Sequence, residues 1–260
     1  MYNMSDKILP GAGPFYYSGN KIGILIFHGF GGGTCSDFKY IAERIFDDKG
    51  YTIHIPLLPG FGTTPEDLRQ TQVIEWIESM EHSFKVIKQK CEKVIVGGHS
   101  LGGVLPFLLA SSHQIQGIFT ISAPIGIRGL GPIIAPFMNL FIKYHKIESD
   151  KFKRDTSGKW VGYDKIPINI VTKIKKLISK MKDSLANITC PVILFQGRKD
   201  NQIKKESMDY IYQNIKSADK RKVWLENNEH PILDSPDQNI IIDELINFVE
   251  RIKSKNSNID

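Results

Sequence analysis

The stretch "VIVGGHSLGGV", residues 94–104, sets a run of β-branched apolar residues directly against a glycine-flanked serine. The run reads as a strand buried on both faces, and the residues after it as the start of a helix. Gly98-His99-Ser100-Leu101-Gly102 is therefore a G-x-S-x-G string at a strand-to-helix junction. A serine on so tight a turn takes strained backbone angles, and its neighbours must be nearly free of side chain. The turn lifts the Ser100 hydroxyl above the sheet and leaves the Leu101 N–H, at the head of the helix, to donate to an oxyanion.

Working outward, short apolar runs alternate with helical patterns. "IGILIF" (22–27), "YTIHIPLL" (51–58), "IQGIFTISA" (115–123), "CPVILFQG" (190–197) and "RKVWLE" (221–226) read as further strands. Helices are expected over 35–50, ending at Gly50, over 67–90 with apolar residues at helical spacing, over 101–113, around 204–216 and over 238–254. Pro106 sits inside the 101–113 pattern and is expected to kink it. Strands that are apolar throughout and separated by helix-length segments predict an α/β architecture: a mostly parallel sheet covered on both faces.

Residues 124–187 break this rhythm, with no clear strand, an apolar stretch "IIAPFMNLF" (133–141) and two lysine-rich helical patterns. An excursion this long between core strands predicts an inserted cap, leaving 1–123 and 188–260 as the core.

Composition narrows the class. The 260 residues are 41% hydrophobic and 24% charged, as in ordinary globular proteins. No apolar run approaches the ~20 residues that span a bilayer, and no secretory leader is evident, which makes the cytoplasm the expected location. Cys35, Cys91 and Cys190 are scattered and odd in number, so neither a disulfide framework nor a metal knuckle is expected. The net charge is +6, while residues 143–182 alone hold 12 lysines and arginines against 4 acids. That basic insert permits weak contact with an acidic membrane surface. Nothing in the basic pattern suggests nucleic acid.

A serine hydroxyl is a poor nucleophile at neutral pH, so a base and an orienting acid are required. In an open parallel sheet they should follow later strands, acid before histidine. Of the histidines after Ser100, His113 closes a helix and His145 lies in the insert, which leaves His230 in "NNEHPILD" as the base. Asp200, just past "VILFQG", is the expected acid; Asp234 lies too close to His230 in sequence to orient its ring from the far side. "FHGFGGG" (27–33) offers the Phe30 N–H as a second oxyanion donor beside Leu101, with His28 holding the loop by hydrogen bonding. The same glycines do not make a dinucleotide site: the last glycine of G-x-G-x-x-G is Thr34 here, and no acid ends the second strand.

Taken together, "FHGFGG", "IPLLPGFGTTPEDL", Trp76 in its helix, "GGHSLGG", "CPVILFQGRKD" and "NNEHPILD" resemble the small bacterial carboxylesterases and monoacylglycerol lipases of the α/β-hydrolase superfamily, over roughly residues 11–250. The resemblance implies a small cap over the site, Ser100, Asp200 and His230 as a catalytic triad, and Phe30 and Leu101 as oxyanion donors. It implies a carboxylic ester hydrolase working through an acyl-enzyme on monoacylglycerols or similar medium-chain esters, with no metal or organic cofactor. A thioesterase, a feruloyl-type esterase or a non-catalytic ligand-binding relative could share these residues. Gly31-Gly32 after "HGF", where such relatives often carry Thr-Gly, and the lysine-rich insert are departures from the pattern.

Overall fold

A computed structural model describes residues 8–30, 33–129, 131–146, 161–232 and 235–255. In chain order its elements are β1 (Phe15–Tyr17), β2 (Ile22–Phe27), α1 (Lys39–Lys49), β3 (Thr52–Ile55), α2 (Pro65–Gln70), α3 (Val73–Lys88), β4 (Lys93–His99), α4 (Leu105–Ala110) and β5 (Gly117–Ile121). There follow α5 (Gly131–Met138), β6 (Tyr144–Lys146), β7 (Lys165–Pro167), α6 (Ile170–Ser184), β8 (Val192–Gly197), α7 (Ser207–Asn214), β9 (Lys220–Leu225) and α8 (Gln238–Lys255). This is an α/β-hydrolase architecture. Seven strands form one sheet in the order β1-β3-β2-β4-β5-β8-β9, parallel except for β1, which pairs antiparallel with β3.

Strand periodicity sorts the core into two layers. Ile24 and Ile26 of β2 and Ile95 of β4 face one side, where α1 and α8 pack through Ile41, Ile45, Leu245 and Phe248. Leu25, Phe27, Val94 and Val96 face the other, against Trp76, Phe84, Phe107, Leu177 and Met181 of α3, α4 and α6. With both faces covered, β2 and β4 carry no solvent-side polar alternation, as the sequence predicts.

Several local expectations change. The 35–50 helix begins as a 3-10 turn over Cys35–Phe38, capped by the Thr34 hydroxyl, and ends as expected at Gly50, whose φ of 61° a residue with a Cβ rarely adopts. The 67–90 pattern is two helices, α2 and α3, with Thr71 and Gln72 between them. The 101–113 pattern opens as a 3-10 turn over Ser100–Gly103, and only then does α4 begin, with Pro106 in its first turn. There a proline sacrifices no helical hydrogen bond, so the expected kink does not arise. Strand β1 and the β6–β7 hairpin, three residues per strand, were not expected from the sequence.

Among the described residues, the chain from α5 to α6 contributes no strand to the central sheet, and it is tied down on the 58–71 segment. Tyr163 Oη donates to the Gly60 carbonyl (2.8 Å) and accepts from the Thr63 N–H (2.7 Å). Tyr144 Oη hydrogen-bonds Glu66, which also holds Arg69. Lys173 Nζ donates to the carbonyls of Leu68, Arg69 and Thr71 at 3.2, 2.8 and 2.5 Å, so an ammonium caps the carboxyl end of α2. Residues 147–160, which hold part of the lysine-rich stretch, lie outside the described residues.

Candidate active site

The site is built at the carboxyl ends of β4, β8 and β9. Strand β4 runs into Ser100 with φ at 52°, a left-handed angle that a side chain tolerates only under compulsion. Close packing supplies the compulsion. A Cβ on Gly98 would stand 2.4 Å from the Gly102 carbonyl oxygen, and one on Gly102 would stand 2.1 Å from that of Phe27. Both glycines of the string are therefore required by approach of backbone to backbone, and the serine between them is turned out of the strand line.

Ser100, Asp200 and His230, 100 residues and more apart at the extremes, meet there and are all buried. His230 Nε2 lies 2.8 Å from Ser100 Oγ, and His230 Nδ1 lies 2.8 Å from Asp200 Oδ2. The other carboxylate oxygen, Asp200 Oδ1, accepts from the N–H groups of Gln202 (2.9 Å) and Ile203 (3.3 Å). Burial works against ionisation of Asp200, but the His230 ring and the Gln202 amide outweigh it, and the carboxyl is held below its ordinary range. An ionised Asp200 fixes the proton on His230 Nδ1, which leaves Nε2 as an acceptor facing the Ser100 hydroxyl. Asp234, the rival acid, lies outside the described residues.

The loop after β2 approaches from the other side. His28 is fully buried; its Nε2 accepts from the Leu58 N–H (3.1 Å), so Nδ1 carries the proton and donates to the Gly29 carbonyl (3.0 Å). Burial pulls its pKa down to about 4, against the weaker opposing pull of that carbonyl, so His28 is a neutral strut. The part foreseen for it, holding the loop, matches these bonds. Phe30 packs on the core edge with its ring 6.4 Å from that of Phe61, and Leu101 opens the 3-10 turn beyond Ser100. Gly31 and Gly32 lie outside the described residues.

Three supporting residues escaped the sequence reading. His99 Nε2 donates to the backbone carbonyl of His230 at 2.8 Å. Ser122, at the end of β5, is fully buried with φ at 50°, a second left-handed residue beside the acid. Asn228, also fully buried, shapes the histidine loop: its carbonyl accepts from the Lys199 N–H (3.1 Å) and its side chain donates to the Pro231 carbonyl (3.3 Å). Only His99 had a signal, its place inside the G-x-S-x-G string; long-range bonds to backbone leave none.

Comparison with known proteins places the chain in a family. Over 248 residues the chain is 33% identical to a thermostable monoacylglycerol lipase of Bacillus sp. (strain H-257), covering 94% of this chain and 98% of the relative. It is 27% identical over 240 residues to a carboxylesterase of Bacillus subtilis (strain 168), covering 92% and 96% of the two chains. A solved structure from work on two metagenome-derived lipolytic enzymes superposes with a TM-score of 0.86 at 26% identity, covering 94% of this chain and 99% of that one. Residues 20–237 match the hydrolase family described as serine aminopeptidase, S33. With its strand–serine–helix junction and its α/β-hydrolase sheet, this chain belongs to that serine hydrolase family.

Proposed function

We propose that the protein is a carboxylic ester hydrolase in which Ser100, His230 and Asp200 form the catalytic triad. One observation carries the reading: a single imidazole bonded at 2.8 Å to a strained, glycine-flanked serine on one nitrogen and to a buried carboxylate on the other. Ser100 Oγ attacks the ester carbonyl carbon while its proton passes to His230 Nε2. The oxyanion of the tetrahedral intermediate rests on the N–H groups of Phe30 and Leu101, each such donor contributing roughly 3 kcal/mol. His230 gives the proton to the departing alkoxide, and the C–O bond breaks to leave an acyl-serine. The same ring then takes a proton from water as its oxygen attacks the acyl carbon, and returns that proton to Ser100 Oγ as the bond from the acyl carbon to Ser100 breaks and the acid leaves. Asp200 stays ionised and holds the ring throughout.

Monoacylglycerols and similar medium-chain esters are the substrates proposed. The named activities of the Bacillus relatives support this choice, and residues 124–187 are taken as a cap over the site. Exposed Ile133, Phe137 and Phe141, beside the lysines of the insert, support contact with an acidic lipid surface from which such substrates would be drawn. Three free cysteines suit a reducing compartment such as the cytoplasm.

The test is a panel of 1-monoacylglycerols and p-nitrophenyl esters with wild type and Ser100→Ala, alongside a fluorophosphonate probe. Turnover by wild type, its loss by several orders of magnitude in the variant, and labelling at Ser100 alone are expected. Labelling elsewhere, or near-normal turnover by Ser100→Ala, refutes the triad. A sharp preference for acetyl esters refutes the medium-chain assignment.

A further inference from the structure

A concavity of about 600 Å³ opens between the loop at 125–129, α5 and α6. Its walls include the apolar side chains of Ile125, Ile127 and Ile178. Four cations stand around it: Arg128, Lys175, Lys182 and Lys204. No carboxylate occurs among the described residues that line it. None of the triad, and neither oxyanion candidate, is among them.

Structure, not accident of loop position, keeps this wall in place. The Arg128 N–H donates to the Gln202 carbonyl (2.9 Å), the Lys204 N–H donates to the Gly126 carbonyl (3.0 Å), and Ile127 bridges to Ile203. Lys175 is drawn inward by a bond to the Pro132 carbonyl, and Lys182 lies over the Tyr210 ring at 5.4 Å. Among the described residues, the ion-pair partner of these four is Glu206, 4.0 Å from Lys204, in an exposed contact that compensates little of the positive field.

An apolar interior with a one-sign rim selects an amphipathic ligand. The size suits a single alkyl chain, and the cations suit one anionic head. Ile133 belongs to the same concavity and begins an exposed apolar row that continues through Phe137 and Phe141, whose rings meet edge to face at 5.5 Å. A chain longer than the pocket therefore has an apolar path out of it.

We propose that this pocket binds the free carboxylate of a medium- or long-chain fatty acid, head among the four cations and chain along the isoleucines. That such an acid would be the protein's own product rests on the ester-hydrolase reading; the binding itself does not. The 125–129 wall of the site is joined to the acid-bearing turn through Gln202 and Ile203, whose N–H groups also donate to Asp200.

Ser100→Ala protein, which cannot turn over ester, is titrated by calorimetry with dodecanoate below its micellar concentration. Saturable binding of one dodecanoate per chain is expected, with dodecanol about tenfold weaker or worse, a gap of ~1.4 kcal/mol per decade. Arg128→Gln/Lys182→Gln should weaken dodecanoate about tenfold, and Ser179→Phe, which fills the pocket from an exposed position without touching a charge, should weaken both ligands. Wild type blocked at Ser100 by phosphonate should bind dodecanoate unchanged. Equal binding of the alcohol, wild-type affinity in both pocket variants, loss of binding in the phosphonate-blocked protein, or association with anionic phosphatidylglycerol vesicles but not with dissolved dodecanoate would each overturn the proposal. Failure of ester turnover alone would sink the hydrolase reading and leave this one standing.

Discussion

His99 holds His230 by the backbone: its Nε2–H donates to the His230 carbonyl at 2.8 Å, and the two rings lie 4.9 Å apart. The residue beside Ser100 thus clamps the loop that carries His230, and one short string of sequence positions both partners of the proposed proton transfer. Removing a neutral hydrogen bond of this kind costs about 1 kcal/mol. His99→Ala is expected to lower kcat several-fold to tenfold with KM little changed. His99→Gln, whose amide can still donate, should recover part of the loss. Equal rates in all three proteins would separate the clamp from the chemistry.

The angle at Ser100 offers a stability readout independent of activity. A left-handed φ costs a residue with a Cβ roughly 1–2 kcal/mol that glycine escapes. Both Ser100→Ala and Ser100→Gly should be inactive, but the glycine variant should melt higher than the alanine variant by about 2–4 °C for each kcal/mol relieved. Identical melting temperatures in calorimetry would show that the surroundings relax around the turn.

Acid sensitivity follows from buried groups with depressed pKa values. His28 is held at about 4 by burial, below the ~6.5 of an unfolded histidine, so the unfolded chain binds the extra proton first. Its contribution is complete above pH ~6.5 and is lost as pH falls toward about 4, to a total of roughly 3 kcal/mol. Asp200, held below its ordinary 3.8, adds stability that persists to lower pH and disappears only as pH drops through its folded value. The urea midpoint of wild type should therefore decline between pH about 6.5 and about 4, and that of His28→Gln should decline less. His54, which burial also brings down to about 4, keeps some slope in the variant. Parallel profiles for the two proteins would exclude His28 as a source.

Lys173 ties α6 to the end of α2 through three carbonyls. Lys173→Met keeps the length of the side chain and removes every donor. A loss of about 1–3 kcal/mol is expected, together with faster proteolytic nicking between residues 131 and 184. An unchanged nicking rate would mean that Tyr163 and the packing of α6 suffice.

How much was legible beforehand depended on the range of each interaction. Ser100, Asp200 and His230 announce themselves because each follows a strand end, a position readable from local hydrophobic pattern. Strand β1 and the β6–β7 hairpin are too short to show periodicity. Pro106 misled because propensity sees a helix interior where the chain makes a 3-10 turn first; the crowding of Gly98 and Gly102 against neighbouring backbone sets that turn, and no propensity scale contains it. Ser122 and Asn228 act across loops that meet only after the sheet has assembled.

The bonds from Gly126 and Arg128 to Lys204 and Gln202 carry a lesson for anyone building chimeras of this enzyme. A transplant that exchanges residues 124–187 alone would cut away the strip to which the Asp200 turn is sewn, and the recipient would be left with a misaligned carboxylate. A graft joined after residue 128 keeps that seam whole.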